Sequence, residues 1–358
     1  MRIISTGYSK TYGYNDPAKW LERINFYSGI LDELAKQHYV LSIERIEYDG
    51  ECIKNNVHYH FIPLKGSRVL FPARMHRLIR QKKPDVVLVN GLIFPLQVMQ
   101  LRATLGKKPK IILLHRADKP FIGYKKHWQK LADKCINAYL FTSSEFGDAW
   151  KKNINVKKIH EVILVSSVFN KSNSRADQDK NRHKFLWVGN LNSNKDPVTV
   201  INAFKKFSQH EPGANLYMIY QSDELLEEVK RYAGDGKFIH LVGKVEHSEL
   251  QSWYTSADFI ISSSHYESGG VAVCEAMSCG CIPILTNIIS FRKITGPGKC
   301  GLLFEAGNEN DLFRCLMKTK EMDVEKERKK TIEQFNRELS FLAIARKIDK
   351  VIESLTKN

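Results

Sequence analysis

Apolar residues fall along this chain in short blocks separated by longer amphipathic tracts. Blocks of four to eight that are rich in Val, Ile, Leu and Phe read as buried strands. In the first half they are Arg2–Thr6, Tyr39–Ile46, His58–Ile62, Asp85–Val89, Ile111–His115, Ala138–Thr142 and Glu161–Val165. Between them, Trp20–Gln37 and Ala73–Lys82 carry helical spacing. Such alternation predicts mainly parallel sheets covered on both faces. The pattern stops at Asn170–Arg182, a polar tract that reads as a linker. It restarts with strands at Lys184–Val188, Ala214–Ile219, Phe238–Val242, Phe259–Ser262 and Ile282–Leu285. Helices are expected at Pro197–Gln209 and Glu224–Ala233, and the charged tail Val324–Leu355 also reads as helical. The expected organisation is an α/β protein of two Rossmann-like domains. They span residues 1–169 and 184–340, joined by 170–183 and followed by a final segment, 341–358.

The length of 358 residues agrees with two domains, since single cores stop growing near ~250–300 residues. The opening Met1-Arg-Ile-Ile-Ser-Thr-Gly reads as a strand rather than a signal-peptide h-region. The apolar tract Val86–Met99 is interrupted by Asn90 and Gly91 and is too short to span a bilayer. These features predict a cytoplasmic protein. The seven cysteines form no Cys-x-x-Cys pair, which predicts reduced, mostly buried thiols and no zinc site.

Charge changes the picture. Residues 61–130 hold 16 Lys and Arg against only Asp85 and Asp118. So concentrated a basic stretch implies an anionic partner: acidic lipid headgroups, a phosphorylated acceptor, or nucleic acid. Nucleic acid is the least favoured of these, because no aromatic–basic stacking motif of a nucleic-acid module is present. Part of the stretch, Arg74, Arg77 and Arg80, recurs at helical spacing, and Lys107, Lys108, Lys110, Lys125, Lys126 and Lys130 add to it. Peripheral binding at an anionic membrane surface follows as an expectation.

The chemistry concentrates in Glu267-Ser-Gly-Gly-Val-Ala-Val-Cys-Glu275-Ala-Met-Ser-Cys-Gly-Cys-Ile-Pro283. An apolar strand feeds a glycine-rich turn, and the turn opens a helix. The first helical N–H groups lack intrahelical partners and attract anions, and glycine lets an anion approach them closely. Two carboxylates eight residues apart flank that turn. The combination suits a sugar nucleotide, with amides for the diphosphate and carboxylates for hydroxyls.

This tract resembles the Glu-x7-Glu signature of retaining glycosyltransferases of the GT-B fold, family 4 (glycosyl transferases group 1). It matches at Glu267, Gly270, Glu275, Ala276, Met277, Cys279, Gly280 and Pro283, and departs at Ser268 and Gly269. Phe185–Phe204 resembles the strand, loop and helix that carry the diphosphate-binding lysine in that family, here Lys195. The family's arginine after Gly189 is Asn190, which can donate a hydrogen bond but brings no charge. His240-Leu-Val-Gly243 resembles the segment that receives the nucleotide base through backbone groups, here at Val242 and Gly243. Lys110–His115 resembles the strand that ends in a histidine near the transferred sugar. Two family features are absent: Asn90 replaces a histidine, and a loop with Gly7, Tyr8, Tyr12 and Tyr14 replaces a Gly-Gly turn. That aromatic loop suits stacking on an acceptor sugar.

The resemblance implies a GT-B architecture, two Rossmann-like domains facing a cleft with the last helix crossing back to the first. It implies a retaining hexosyltransferase with Glu267, Lys195 and His115 as catalytic residues. Donor contacts would come from Glu275, Ser268, Gly269, Gly270, Val271, Gly189, Asn190, Val242 and Gly243. The donor would be a nucleotide sugar, with a UDP-sugar favoured over a GDP-sugar, and no other cofactor. No Asp-x-Asp motif stands where a metal-dependent enzyme would place one, so metal independence is expected. The acceptor would be a glycan, glycolipid or lipid-linked sugar in surface-polysaccharide or glycoconjugate biosynthesis, on the inner face of the membrane if bound there. Three alternatives stay open: a sugar-nucleotide epimerase of the same fold, a glycosyltransferase acting on nucleic acid or protein, and a non-catalytic sugar-nucleotide-binding protein.

Overall fold

A computed structural model describes residues 1–9, 11–63, 70–116, 118–169 and 183–357. The tract Asn170–Arg182, expected to be a linker, lies outside the described residues. The chain divides into two compact units. The first comprises Met1–Leu164 together with Phe341–Asn358, and the second Val165–Ser340.

The first unit holds strands β1 (Arg2–Gly7), β2 (Tyr39–Glu44), β3 (Gly50–Lys54), β4 (Val57–Phe61), β5 (Val86–Asn90), β6 (Lys110–Leu114), β7 (Ala138–Phe141) and β8 (Ile159–Glu161). They form one sheet in the order β3-β4-β2-β1-β5-β6-β7-β8. Every pairing is parallel except β3 with β4. β1 lies between β2 and β5, so successive crossovers run to opposite sides of it. Ile3, Val40, Val86 and Ile112 bury one face, and Ile4, Leu41, Val87 and Ile111 the other. This is the two-sided burial expected of continuous apolar blocks.

The last helix, Phe341–Thr356, belongs to this unit. Its Ile344, Ala345, Ile348, Val351 and Ile352 recur at helical spacing and join the same core as Ile30, Leu31 and Leu34 of the helix Asn25–Leu34. Its Asp349 lies 3.0 Å from His38 Nε2. A side chain at Gly29 would meet the Phe341 ring at 2.5 Å, so the two helices approach as they do only because residue 29 has none.

The second unit holds β9 (Lys184–Gly189), β10 (Asn215–Tyr220), β11 (Ile239–Gly243), β12 (Phe259–Ser262), β13 (Ile282–Thr286) and β14 (Leu302–Phe304). They form a wholly parallel sheet in the order β11-β10-β9-β12-β13-β14. The order is that of a doubly wound nucleotide-binding sheet, whose switch point here falls between β9 and β12. Phe185, Phe204, Phe207 and Phe259 pack ring against ring beneath it.

Several elements differ from the expectation. The strand expected at Glu161–Val165 lies at Ile159–Glu161, and β14 is not among the expected strands. The helix expected over Trp20–Gln37 is two helices, Pro17–Arg23 and Asn25–Leu34, with Ile24 between them. The helical tail is also two, Val324–Glu338 and Phe341–Thr356. Strand β3 is not among the expected strands. It is an edge strand of alternating exposure, and Asn55 and Asn56 turn it into β4 with φ of 51° and 65°.

Candidate functional site

In the second unit, β9 and β12 run side by side, and the loops after them meet at their C-terminal ends. The first loop ends at Asp196, whose carboxylate caps the helix Pro197–His210 by accepting from Thr199. The second runs from Ser263 to Gly270. Hydrogen bonds tie the two together. Ser263 Oγ donates to the carbonyls of Lys195 (2.6 Å) and Asp196 (2.8 Å), and Asn194 exchanges bonds with the backbone of His265 and Tyr266. This stitching delivers Lys195 Nζ to the carboxylate of Glu267, and the two form a hydrogen-bonded ion pair. Gly189, at the end of β9, lies beside it: a side chain there would contact Lys195 Cδ at 3.6 Å. Asn190 is exposed next to it.

Gly270 is the N-cap of the helix Val271–Ser278, with φ 65° and ψ 72°. That left-handed conformation is open to glycine at little cost, and a Cβ would also strike Phe291 at 2.8 Å. Gly269 is equally constrained, because a Cβ there would lie 2.4 Å from Val165 Cγ1. Val271, the first helical residue, is exposed. The helix therefore opens with its first N–H groups at the sheet's switch point, where an anion is stabilised.

Glu275 lies one turn further on and is buried. Its Oε1 is 2.9 Å from His247 Nε2, and its Oε2 accepts from the Tyr254 hydroxyl at 3.1 Å. Burial and the Glu275 charge push the Tyr254 phenol well above its ordinary value, so it stays a donor. His247 opens the helix His247–Ser256, held by reciprocal capping between Glu246 and Glu249, and stacks on Phe169 at 4.9 Å. Val242 and Gly243 end β11 just before that helix. Neither His247 nor Tyr254 was anticipated from the sequence. The spacing of His247 and Tyr254 at i and i+7 placed them on one helical face, a signal that needed a known partner to be read.

The first-unit residues fare differently. Tyr8 is 1% exposed, with its hydroxyl 2.9 Å from His76 Nε2 and its ring edge-on to that imidazole. It is core, because the chain turns inward directly after β1, and it offers no face to a sugar. Tyr14 packs edge-on against Trp20 and beneath the Arg23 guanidinium. Tyr12 does project, at 71% exposure, and Gly7 borders a cavity.

His115 was expected to reach the transferred sugar. It lies instead in an aromatic box, stacked on Phe141 at 4.4 Å and edge-on to Trp150, and is 2% exposed. Burial lowers its pKa, which keeps the ring neutral, and Nε2 faces the Asp118 carbonyl at 3.0 Å. Arg116 and Arg45, which the sequence reading passed over, do line the cavity beside Gly7. Among the described residues no cluster of His, Cys, Asp and Glu could hold a metal, and none of the seven cysteines is in a disulfide.

Known proteins share this fold. A glycosyltransferase from Rickettsia africae ESF-5 superposes with a TM-score of 0.75 at 16% identity, covering 100% of this chain and 99% of that one. The fold is GT-B, that of glycosyltransferases built on two Rossmann-like units. Residues 169–337, a little under half of the chain, match the family of glycosyl transferases group 1. The α-monoglucosyldiacylglycerol synthase of Acholeplasma laidlawii is 25% identical over 325 residues, covering 78% of this chain and 79% of the relative. A D-inositol 3-phosphate glycosyltransferase of Streptosporangium roseum is 24% identical over 153 residues, 40% of this chain, and the match spans only 35% of that relative's length.

Proposed function

We propose that this protein is a retaining, metal-independent glycosyltransferase that uses a nucleotide sugar. The observation that carries the reading is the Lys195–Glu267 pair beside the glycine-led helix start, at the switch point of the second sheet. The diphosphate lies against the amides of Ser268–Val271, and the Lys195 ammonium neutralises charge that builds on the departing nucleotide. Glu267, released from Lys195 as the phosphates arrive, accepts from the donor sugar's hydroxyls and stabilises an oxocarbenium-like state. Glu275 binds ribose hydroxyls. A carboxylate offers about four lone-pair sites, and His247 and Tyr254 engage one on each oxygen. The base rests near Val242 and Gly243, with a UDP-sugar favoured. A thermal-shift panel of UDP-, GDP- and ADP-sugars, followed by a hydrolysis assay without and with EDTA, tests this. One nucleotide sugar should stabilise the protein and turn over equally in EDTA. No stabilisation by any of them would overturn the reading.

The acceptor reading is a glycolipid or lipid-linked sugar met at an anionic membrane surface. A relative that covers most of the chain makes, by its name, a monoglucosyldiacylglycerol. The first unit also exposes Ile122 (86%), Tyr124 (75%), Trp128 and Leu131 beside Lys125, Lys126 and Lys130. Trp128 and Leu131 share the outer face of the helix Lys126–Asp133, whose Gln129 and Ala132 face inward. Apolar and aromatic side chains among lysines match the boundary between acyl chains and anionic headgroups. Among the described residues no helix is long and apolar enough to cross a membrane. Flotation should recover the protein with vesicles containing anionic lipid and lose it by ~0.5 M salt, because screening removes the lysine contribution. Equal recovery on neutral vesicles, or none on either, would favour a soluble acceptor.

A further inference from the structure

A strap runs along the helix Val271–Ser278. It consists of Val165–Phe169, the residues that open the second unit. Val165 lies against Gly269, in the space left by the missing side chain, and its carbonyl accepts weakly from Cys274 Sγ at 4.0 Å. Further along, Ser278 Oγ donates to Ser167 Oγ at 2.9 Å, and that oxygen also accepts from the Phe169 amide at 2.9 Å. The strap is thus fixed to the turn before the helix, to its middle and to its last residue. It ends at Phe169, which is 6% exposed and shares a core with Leu250, Tyr254, Ala276 and Cys279.

Two rings lie against Phe169, and both carry donors to Glu275. The His247 imidazole stacks on it with ring centres 4.9 Å apart and planes 28° apart, and the Tyr254 ring is tilted against it at 6.1 Å. His247 is the first residue of its helix, and its side chain is 37% exposed. A half-exposed side chain at a helix start keeps a rotameric freedom that a stacked ring restricts. Tyr254 is fully buried and has no such freedom. The carboxylate between them is held at both oxygens, Oε1 by His247 Nε2 and Oε2 by the Tyr254 hydroxyl. One donor on each oxygen fixes the plane of a carboxylate, whose last torsion is otherwise soft. Each oxygen keeps an acceptor site, and the two together match the neighbouring hydroxyls of a ribose.

We infer that Phe169 and His247 are positioning residues for the donor's ribose: the strap sets the His247 ring, and His247 sets the plane of the carboxylate that receives the 2′- and 3′-hydroxyls. The inference rests on the reading above that Glu275 binds ribose. It adds that the geometry is imposed by the segment entering the unit as well as by the helix that bears the glutamate. Both residues act through Glu275, so their effect is confined to those hydroxyls.

The test uses the full chain and calorimetry with UDP, GDP and ADP, followed by the 2′,3′-dideoxy form of whichever binds most tightly. His247→Phe keeps a ring for Phe169 and removes the donor. It should weaken the ribonucleotide about 10-fold and the dideoxy form less than about 2-fold, since only the former uses the carboxylate. His247→Gln places an amide N–H at similar reach and should recover part of the loss. Phe169→Leu keeps an apolar side chain without the stack and should cost about 3-fold on the ribonucleotide alone. A merely structural loss would weaken both forms of the nucleotide alike, and that outcome overturns the inference. So does wild-type affinity in His247→Phe when Glu275→Ala loses binding. If Glu275→Ala binds the ribonucleotide as the wild type does, or if no nucleotide binds, the ribose reading itself fails and the inference falls with it. Should His247→Phe show no thermal unfolding transition, His247→Gln and Phe169→Leu against the same pair of nucleotides decide.

Discussion

The two units end their sheets in opposite electrostatic states. In the second, the charged groups expected to act are all matched: Lys195 with Glu267, and Glu275 with His247 and Tyr254. In the first, Arg45 Nε and Nη2 are buried without a hydrogen-bond partner among the described residues, and Arg116 donates to neutral oxygens while the Glu44 and Asp118 carboxylates act on its charge. A matched site is stable without its ligand and must exchange partners to bind. An unmatched one stores a desolvation cost that a ligand relieves.

The sharpest challenge to that contrast is Lys195→Ala. It removes the counter-charge for the leaving diphosphate and should lower kcat by ~100-fold or more, with partial recovery in Lys195→Arg. Steady-state rates with saturating donor would show it, and near-normal turnover would place the stabilising charge elsewhere. Next is Glu275→Ala, which should weaken nucleotide binding by roughly one to two orders of magnitude in calorimetry, since charge-assisted bonds are worth about 1.5–3 kcal/mol. Unchanged affinity would remove Glu275 from the ribose site. Gly270→Ala probes the backbone rather than charge. Forcing alanine into the left-handed conformation against Phe291 should cost about 1–3 kcal/mol in urea unfolding. An unaltered midpoint would show that the turn tolerates a side chain.

A further effect expected is an acid sensitivity in the first unit. Burial lowers the His76 pKa from 6.5 to about 4. The folded state holds this ring neutral, whereas the unfolded chain takes up a proton near 6.5. The unfolded state thus binds more protons between those values, and stability falls as pH drops from about 6.5 to 4. His76→Gln should flatten that part of the stability–pH curve, measured by thermal melts at fixed ionic strength. A slope identical to wild type would assign the acid loss to other groups.

Much of the fold was legible because buried parallel strands are continuous apolar blocks. Val86–Val89 and Ile111–Leu114 could hardly be anything else. β3 escaped because an edge strand with one wet face has no such block, although Asn55-Asn56 was a usable turn signal. In the site, Glu267, Gly270 and Glu275 could be placed by spacing along a single strand–turn–helix. His115 and Tyr8 could not, because whether a residue at a strand end faces solvent or core depends on the next helix over. Arg45 was hidden for the same reason: flanked by Glu44 and Glu47, it reads as one charge among several. Only the packed structure separates it from them.

The helix Phe341–Thr356 carries a consequence for how the chain is made. Its Ile344, Ile348 and Ile352 complete the core of a unit whose other residues end at Leu164. The second unit is continuous in sequence and emerges in between. At roughly 5–20 residues per second, the ribosome leaves the first unit without its closing helix for on the order of ten seconds or more. For that interval the groove around Ile30, Leu31 and Leu34 is uncovered. The later half of the chain can finish folding before the earlier half, so a nascent chain stalled near Ser340 would be a substrate for chaperones through its N-terminal residues.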